Sequence, residues 1–245
     1  MGNLESGKHD PLLKGSADRI IKNALDDGRT ALLEHEAKRI CNEYHIDTPK
    51  FRLAQNALDA GIAAKRLGFP VVMKIVSPDI IHKTDAGCVI MGLRNGSEVR
   101  RAFSRIIANA EQQKPNARIL GVLVEEMQPP GIEVIVGGIR EPPFGQTLMF
   151  GLGGVFVELF EDVSFRVAPL SERAAKRMIR EIRGYEVLKG YRGNAPADEE
   201  SLVRILLSSS KLMQDHPEIF QMDLNPTLVY QRNATAVDAR IALVA

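Results

Sequence analysis

The chain has 245 residues, 44% of them hydrophobic, enough for one large domain or two modest ones around a real core. Its 32 Lys and Arg stand against 31 Asp and Glu, so a net charge of +1 supplies no global field for holding nucleic acid or an anionic membrane, and any anion site must be local. Two cysteines, Cys41 and Cys88, make neither a disulfide framework nor a metal cluster and read as reduced core thiols.

The first residues, 1–15, form a polar tail without the apolar core of a signal peptide, and no run of about 18 apolar residues follows. A cytoplasmic protein is expected. Ser16 is a candidate N-cap for a helix carrying Ile20, Ile21, Ala24 and Leu25, which Gly28 ends. Thr30 opens a second helix, with Leu33, Ala37, Ile40, Cys41 and Tyr44 on one face, and Pro49 closes it.

From Phe51 the pattern alternates, which is the mark of an α/β region: a strand near Phe51, a helix from Ala57 to Leu67, and a buried strand around Lys74. A strand from Cys88 to Leu93 leads to Asn95-Gly96. Ser97 then starts a helix with Val99, Phe103, Ile106 and Ile107 inward, and Ile119 to Glu126 is another buried strand. The second half is richer in β structure, with strands over 133–139, 147–150 and 156–167 separated by Gln128-Pro-Pro-Gly131 and Glu141-Pro-Pro-Phe-Gly145. Helices over 171–182 and 198–215 precede strands around 224–230 and 236–243. The class is α/β grading into α+β, in two lobes over 16–125 (with the N-terminal helices) and 126–245, joined near Glu125 to Pro130.

Lys74 is the most informative residue. It interrupts the run Val71, Val72, Met73, Ile75, Val76, and a lysine kept from water must be paired or bind a ligand's negative charge. Asp79 or Asp85 are candidate partners; a phosphate is the alternative. His82 lies in the polar loop Ser77-Pro-Asp-Ile-Ile-His-Lys-Thr-Asp-Ala-Gly87, where an imidazole is either a surface residue or a carrier of a phosphoryl group.

Gly151-Leu-Gly-Gly154 permits close backbone approach to phosphate oxygens, but lacks the lysine of a P-loop and equally fits a strand-end turn. Glu125 and Glu126 end one strand and Glu133 opens the next, so a nucleotide across that hinge would find strand-end backbone groups for a purine and a carboxylate for ribose; solvated acids are the bland alternative. Asp223-Leu-Asn225-Pro226 and Asp238 sit on two strands around a turn near Gln231 to Asn233. That turn puts Asn225 and Asp238 opposite or nearly so, about 5 Å apart at Cβ, where they either hydrogen-bond or hold one hard cation such as Mg2+. The triplet Asn233-Ala-Thr235 reads as a turn.

Taken in order, Val72-Met-Lys-Ile-Val-Ser-Pro-Asp-Ile-Ile-His-Lys-Thr-Asp-Ala-Gly87, Ile119-Leu-Gly-Val-Leu-Val-Glu-Glu-Met127, Gly131-Ile-Glu-Val-Ile-Val-Gly137, Phe150-Gly-Leu-Gly-Gly-Val-Phe-Val-Glu158 and Asp223-Leu-Asn-Pro226 resemble the β subunit of ADP-forming acyl-CoA synthetases. These are acetate–CoA ligases of the ATP-grasp superfamily, related to succinyl-CoA synthetase β chains. The resemblance implies an ATP-grasp fold, two lobes clasping ATP or ADP. It assigns Lys74 to the α and β phosphates, Glu125, Glu126 and Met127 to the adenine hinge, and Glu133 to the nucleotide sugar. Gly151, Gly153, Gly154 and Glu158 would line the phosphate end, Asn225 and Asp238 would ligate Mg2+, and catalytic His82 would accept phosphate.

The reaction implied is acyl-CoA + ADP + phosphate ⇌ acid + CoA + ATP through an acyl phosphate and a phosphohistidine. In this family CoA binds an α subunit, and nothing in these residues resembles one, so a CoA-binding α partner in an α2β2 heterotetramer is implied. Two other functions are open: a nucleotide-binding regulatory subunit without phosphoryl transfer, and a carboxylate ligase of the ATP-grasp group acting alone. Two positions depart from the family pattern. Thr84 stands where serine is common and Cys88 where a second glycine is often found, a change expected to narrow the loop or expose a thiol near the phosphates.

Overall fold

Short polar caps and glycines set the ends of most helices in the computed structural model, which describes residues 11–141, 143–154, 162–190 and 195–244. Helix α1 (Pro11–Asp26) gives way to Gly28, whose φ of +70° suits glycine. It starts ahead of the expected cap at Ser16. Helix α2 (Glu34–Glu43) begins later than Thr30, because residues 30–33 are spent as an extended leg: Leu32 N–H donates to Ile241 O and Leu243 N–H to Thr30 O. The Glu36 carboxylate then accepts from Leu33 N–H at 2.8 Å and starts the helix.

The first sheet takes β1 (Phe51–Ala54), β2 (Val71–Val76), β3 (Val89–Leu93) and β4 (Gly121–Glu126) in the order β1-β4-β2-β3, all antiparallel. Helices α3 (Ala57–Leu67) and α4 (Gly96–Gln113) connect them. Asn56 caps α3 by accepting from Asp59 N–H; Asn95, not Ser97, caps α4 by accepting from Glu98 N–H. Both helices cover one face of the sheet, where Met73, Ile75, Val122 and Val124 pack on Ala63, Val99, Phe103 and Ile106. The strand period of two then turns Val72, Lys74 and Val76 to the opposite face.

The second sheet runs β10-β8-β5-β6-β7, with β9 added to β8. Its strands are β5 (Ile132–Glu141), β6 (Gly145–Leu152), β7 (Val163–Val167), β8 (Ile219–Val229), β9 (Ala234–Ala236) and β10 (Arg240–Leu243). Helices α5 (Glu172–Arg180), α6 (Tyr185–Leu188) and α7 (Glu199–Asp215) lie between β7 and β8 in sequence. Ser171 caps α5 and Asp198 caps α7. The expected strand over 156–167 is β7 from Val163 on; its first half, with Glu158, lies outside the described residues.

One core unites this sheet with α5, α7 and both N-terminal helices: Ala17 and Ile21 of α1 and Ala37, Ile40 and Cys41 of α2 pack with Val134, Phe150, Met178, Leu206 and Met213. The N-terminal helices, grouped above with the first lobe by sequence order, are built into the core of the second. Their apolar faces match the helix-covered side of the large sheet, and burying each such aliphatic side chain contributes about 1.5–3 kcal/mol. The first sheet meets this body through its other face, where Val76 and Leu123 touch Leu33 just ahead of α2. No described helix is long and apolar enough to cross a membrane.

Candidate active site

Lys74 is buried in the middle of β2, on the face turned toward α2, and all of its close partners come from elsewhere in the chain. Its Nζ donates to Glu34 Oε1 at 2.6 Å and to Val237 O at 3.3 Å, and stands 3.2 Å from Glu125 Oε2. Neither Asp79 nor Asp85, the partners nearest in sequence, pairs with it: Asp79 accepts instead from Arg118 N–H. Lys74 therefore bridges the small sheet to the segment just before Asp238.

The cluster extends further. Lys38, fully buried one turn along α2 from Glu34, lies 3.0 Å from Glu34 Oε1 and donates to Glu125 Oε1 at 2.5 Å. Lys83, next to His82, donates to Glu34 Oε2 at 2.6 Å. Lys38, Lys74 and Lys83 thus gather on Glu34 and Glu125 as one buried ion-pair network. Burial would lower the Lys74 ammonium, but Glu125, Glu34 and Asp238 outweigh it and hold it above the ordinary lysine range. Burial would likewise raise Glu34; Lys74, Lys38 and Lys83 together hold it well below the usual carboxylate range.

Glu34 and Lys38 were not singled out from the sequence. The available signal was a Glu and a Lys four residues apart, bordering the apolar face of α2. Glu125, assigned to the adenine hinge by resemblance, has its carboxylate in this cluster instead, because its register opposite Val72 turns it to the Lys74 face. Burial, added to the charge of Glu34, keeps it above the usual range despite both lysines.

At the hinge itself Glu126 pairs with exposed Lys50, and Met127 is partly exposed. The strand-end amides expected to be free are not: Glu126 N–H donates to Lys50 O and Met127 N–H to Pro70 O. His82 is exposed in the turn between β2 and β3, where its carbonyl accepts from Ala86 N–H. A cavity of about 680 Å3 opens beside this loop, with Glu34, Val76, Lys83, Asp223 and Arg240 in its walls. Cys88 does not expose a thiol there; it is buried against Ile106, and burial raises its pKa.

Glu133 and the glycines come together. Gly153 N–H donates to Glu133 O at 2.7 Å, and a Cβ on Gly153 would lie 2.8 Å from Glu133 Cβ, so only glycine fits. Gly154 follows with φ +63°, and Gly151 pairs with Ile135 inside the sheet. Glu133 also faces Leu228 of β8, the strand that carries Asn225.

On that strand, Thr227 pairs with Ala236 and Asp223 with Arg240, and Asn225 and Asp238 lie between these two paired positions. Asp238 Oδ2 is 3.6 Å from Arg240 Nε, whereas Oδ1 is buried without a hydrogen-bond partner among the described residues. Burial raises the Asp223 pKa, and Asp238 adds to the rise against Arg240. Among the described residues no three His, Cys, Asp or Glu side chains gather as metal ligands. A buried carboxylate oxygen of this kind fits a hard cation held by few protein oxygens and otherwise by water and phosphates, the habit of Mg2+.

A family model described as an ATP-grasp domain matches residues 23–243. The β subunit of acetate–CoA ligase [ADP-forming] II of Pyrococcus furiosus is 44% identical over 234 residues, covering 94% of this chain and 99% of that one. The β subunit of the same organism's ligase I is 48% identical over 227 residues, covering 93% and 97%. Among solved structures, the dinucleotide-forming acetyl-coenzyme A synthetase 1 of Ca. Korarchaeum cryptofilum, in complex with coenzyme A, Ca-AMPCP and HgCl+, superposes with a TM-score of 0.91 at 49% identity, covering 94% of this chain and all of that one.

Proposed function

Because the chain belongs to the ATP-grasp family, and within it to the β subunits of ADP-forming acetate–CoA ligases, we propose that it is the nucleotide-binding half of an acid–thiol ligase. The reaction is acyl-CoA + ADP + phosphate ⇌ acid + CoA + ATP. The observation that carries this reading is Lys74, buried between the two sheets with its ammonium on Val237 O beside Asp238 and kept charged by its carboxylate neighbours. The Korarchaeum relative was solved in complex with coenzyme A and Ca-AMPCP, which supports a nucleotide-binding role.

Lys74 contacts the α and β phosphates, and its carboxylate partners keep it charged. Glu126 and Met127 border the adenine through carbonyl groups and the thioether, since both amides are taken. Glu133 accepts ribose hydroxyls; Gly151, Gly153 and Gly154 let the backbone approach the phosphates. Asn225 and Asp238 would hold Mg2+, which when bound would neutralise phosphate charge.

In transfer, a ring nitrogen of His82 bonds to the γ-phosphorus as the bond to the β–γ bridging oxygen breaks. ADP leaves with the electron pair, and the reverse step remakes ATP. Catalysis here is mainly positioning and charge. A CoA-binding α subunit supplies the acyl chemistry, the pair working in the cytoplasm as an α2β2 assembly.

The test mixes this chain with its CoA-binding partner and follows ATP formation from ADP, phosphate and an acyl-CoA. His82→Ala should lose most turnover yet bind nucleotide as before, and full activity in that variant would remove the carrier role. Acid-labile, base-stable label from radioactive ATP on His82 separates transfer from mere nucleotide sensing.

A further inference from the structure

Glu34 sits where three parts of the chain meet, and its two oxygens are divided between them. Oε1 takes Lys74 of β2 at 2.6 Å and Lys38 of its own helix at 3.0 Å; Oε2 takes Lys83 at 2.6 Å. Lys83 is the residue after His82, and its carbonyl closes the turn by accepting from Cys88 N–H. The rest of the turn, His82, Thr84 and Asp85, faces solvent. The Lys83 ammonium is thus the loop's charged anchor on the interior.

We propose that Glu34 is a positioning residue for phosphoryl transfer: its carboxylate fastens the His82 loop, through Lys83, to the Lys74 phosphate clamp. This rests on the reading of Lys74 and His82 given above. The fastening is stiff at its base, because Glu34 and Lys38 are one helical turn apart on α2, and Lys38 is tied in turn to Glu125 of β4. It is strong, because short charge-assisted bonds away from water are screened little. Glu34 is held ionised by its three lysines, so the anchor persists across neutral pH. A lysine with partial access to water need not bind a buried carboxylate at all. That Lys83 does so places histidine and phosphates in one frame, which is what an in-line transfer needs.

The experiment uses the full chain with its CoA-binding partner and measures the rate of His82 labelling from radioactive ATP beside nucleotide affinity by calorimetry. K83M leaves the inner pairs of Glu34 intact. It should bind ATP as wild type does but label His82 roughly 10–100-fold more slowly, lowering kcat with little change in the nucleotide KM. K83R, which restores a cation, should recover most of the rate. E34Q should also slow labelling, and the double variant E34Q/K83M should be no slower than the slower single, since both break one link. Wild-type labelling in K83M would overturn the proposal. So would losses that multiply in the double variant, because Lys83 would then act on the phosphate by itself. If E34Q does not fold, K83M against K83R decides alone. No label on wild-type His82 overturns the functional reading, and this inference with it.

Discussion

Asn225 of β8 and Asp238 lie between the paired positions Thr227–Ala236 and Asp223–Arg240, and the Oδ1 of Asp238 is buried without a hydrogen-bond partner among the described residues. A buried carboxylate oxygen left unpaired is costly, so its retention points to a cation. Asp238→Asn removes the charge and keeps the shape. The Mg2+ concentration needed for half-maximal ADP binding should rise roughly 10- to 100-fold, the scale of one lost charged contact. Calorimetric titration at several Mg2+ concentrations reads this, and an unchanged Mg2+ requirement would take the metal role from Asp238.

Lys74→Met tests clamp and cluster together. It leaves Glu34 and Glu125 with Lys38 and, for Glu34, Lys83, so the penalty should fall toward the lower end of the about 3–5 kcal/mol typical of breaking a buried pair. Urea unfolding gives that number, and nucleotide affinity measured below the transition should fall as well. A variant that binds ATP normally would mean that Lys74 is structural only.

Gly153→Ala asks whether the glycine turn is a matter of space. Its Cβ would meet Glu133 Cβ at 2.8 Å and the carbonyl carbon at 3.1 Å, with rigid backbone on one side. A stability loss of about 1–3 kcal/mol is expected, with weaker ADP binding because Glu133 is displaced. Thermal melts with and without ADP separate the two effects.

His35 supplies a pH dependence. Burial lowers its pKa from the ordinary 6.5, Arg39 and Arg29 adding to the effect against Glu36 and Glu34, and its Nδ1 has no hydrogen-bond partner among the described residues. The unfolded chain therefore takes up a proton on this residue before the folded chain does. Stability attributable to His35 is complete above about pH 6.5 and is lost as pH falls through the lower folded value. Wild type should lose stability against His35→Gln between neutral and mildly acid pH in paired unfolding curves; parallel curves would refute it.

Both thiols should be silent in the native protein. Burial pushes Cys41 up to about 12 and raises Cys88, and both are shielded from solvent. A thiol reagent at pH 8 should modify neither cysteine until denaturant is added, and then both. Fast reaction of Cys88 would show that the β2–β3 loop opens.

How much of the site could be read in advance depended on how local its geometry is. That Asn225 and Asp238 come close along neighbouring segments was legible because a turn sets register over a few residues. Lys74 was legible as a buried cation because its neighbours are apolar. Its partners were not. Asp79 and Asp85 are near in sequence, yet Glu34 and Glu125 hold the lysine, and both arrive from other elements. The hinge amides misled for a related reason: Lys50 and Pro70, distant in sequence, had already taken them.

The sequence by itself determined the helices and strands, through apolar periodicity, Asn, Ser and Asp caps and glycine stops, and it determined the family through five motifs in one order. Only the tertiary structure decided that α1 and α2 belong to the core of the second sheet and that one carboxylate, Glu34, joins Lys74 to the loop carrying His82. Periodicity reports that a position is buried and on which face. Which charge it meets there depends on how separate elements are brought together, and that is settled by the packing of whole apolar faces rather than by any residue's neighbours along the chain.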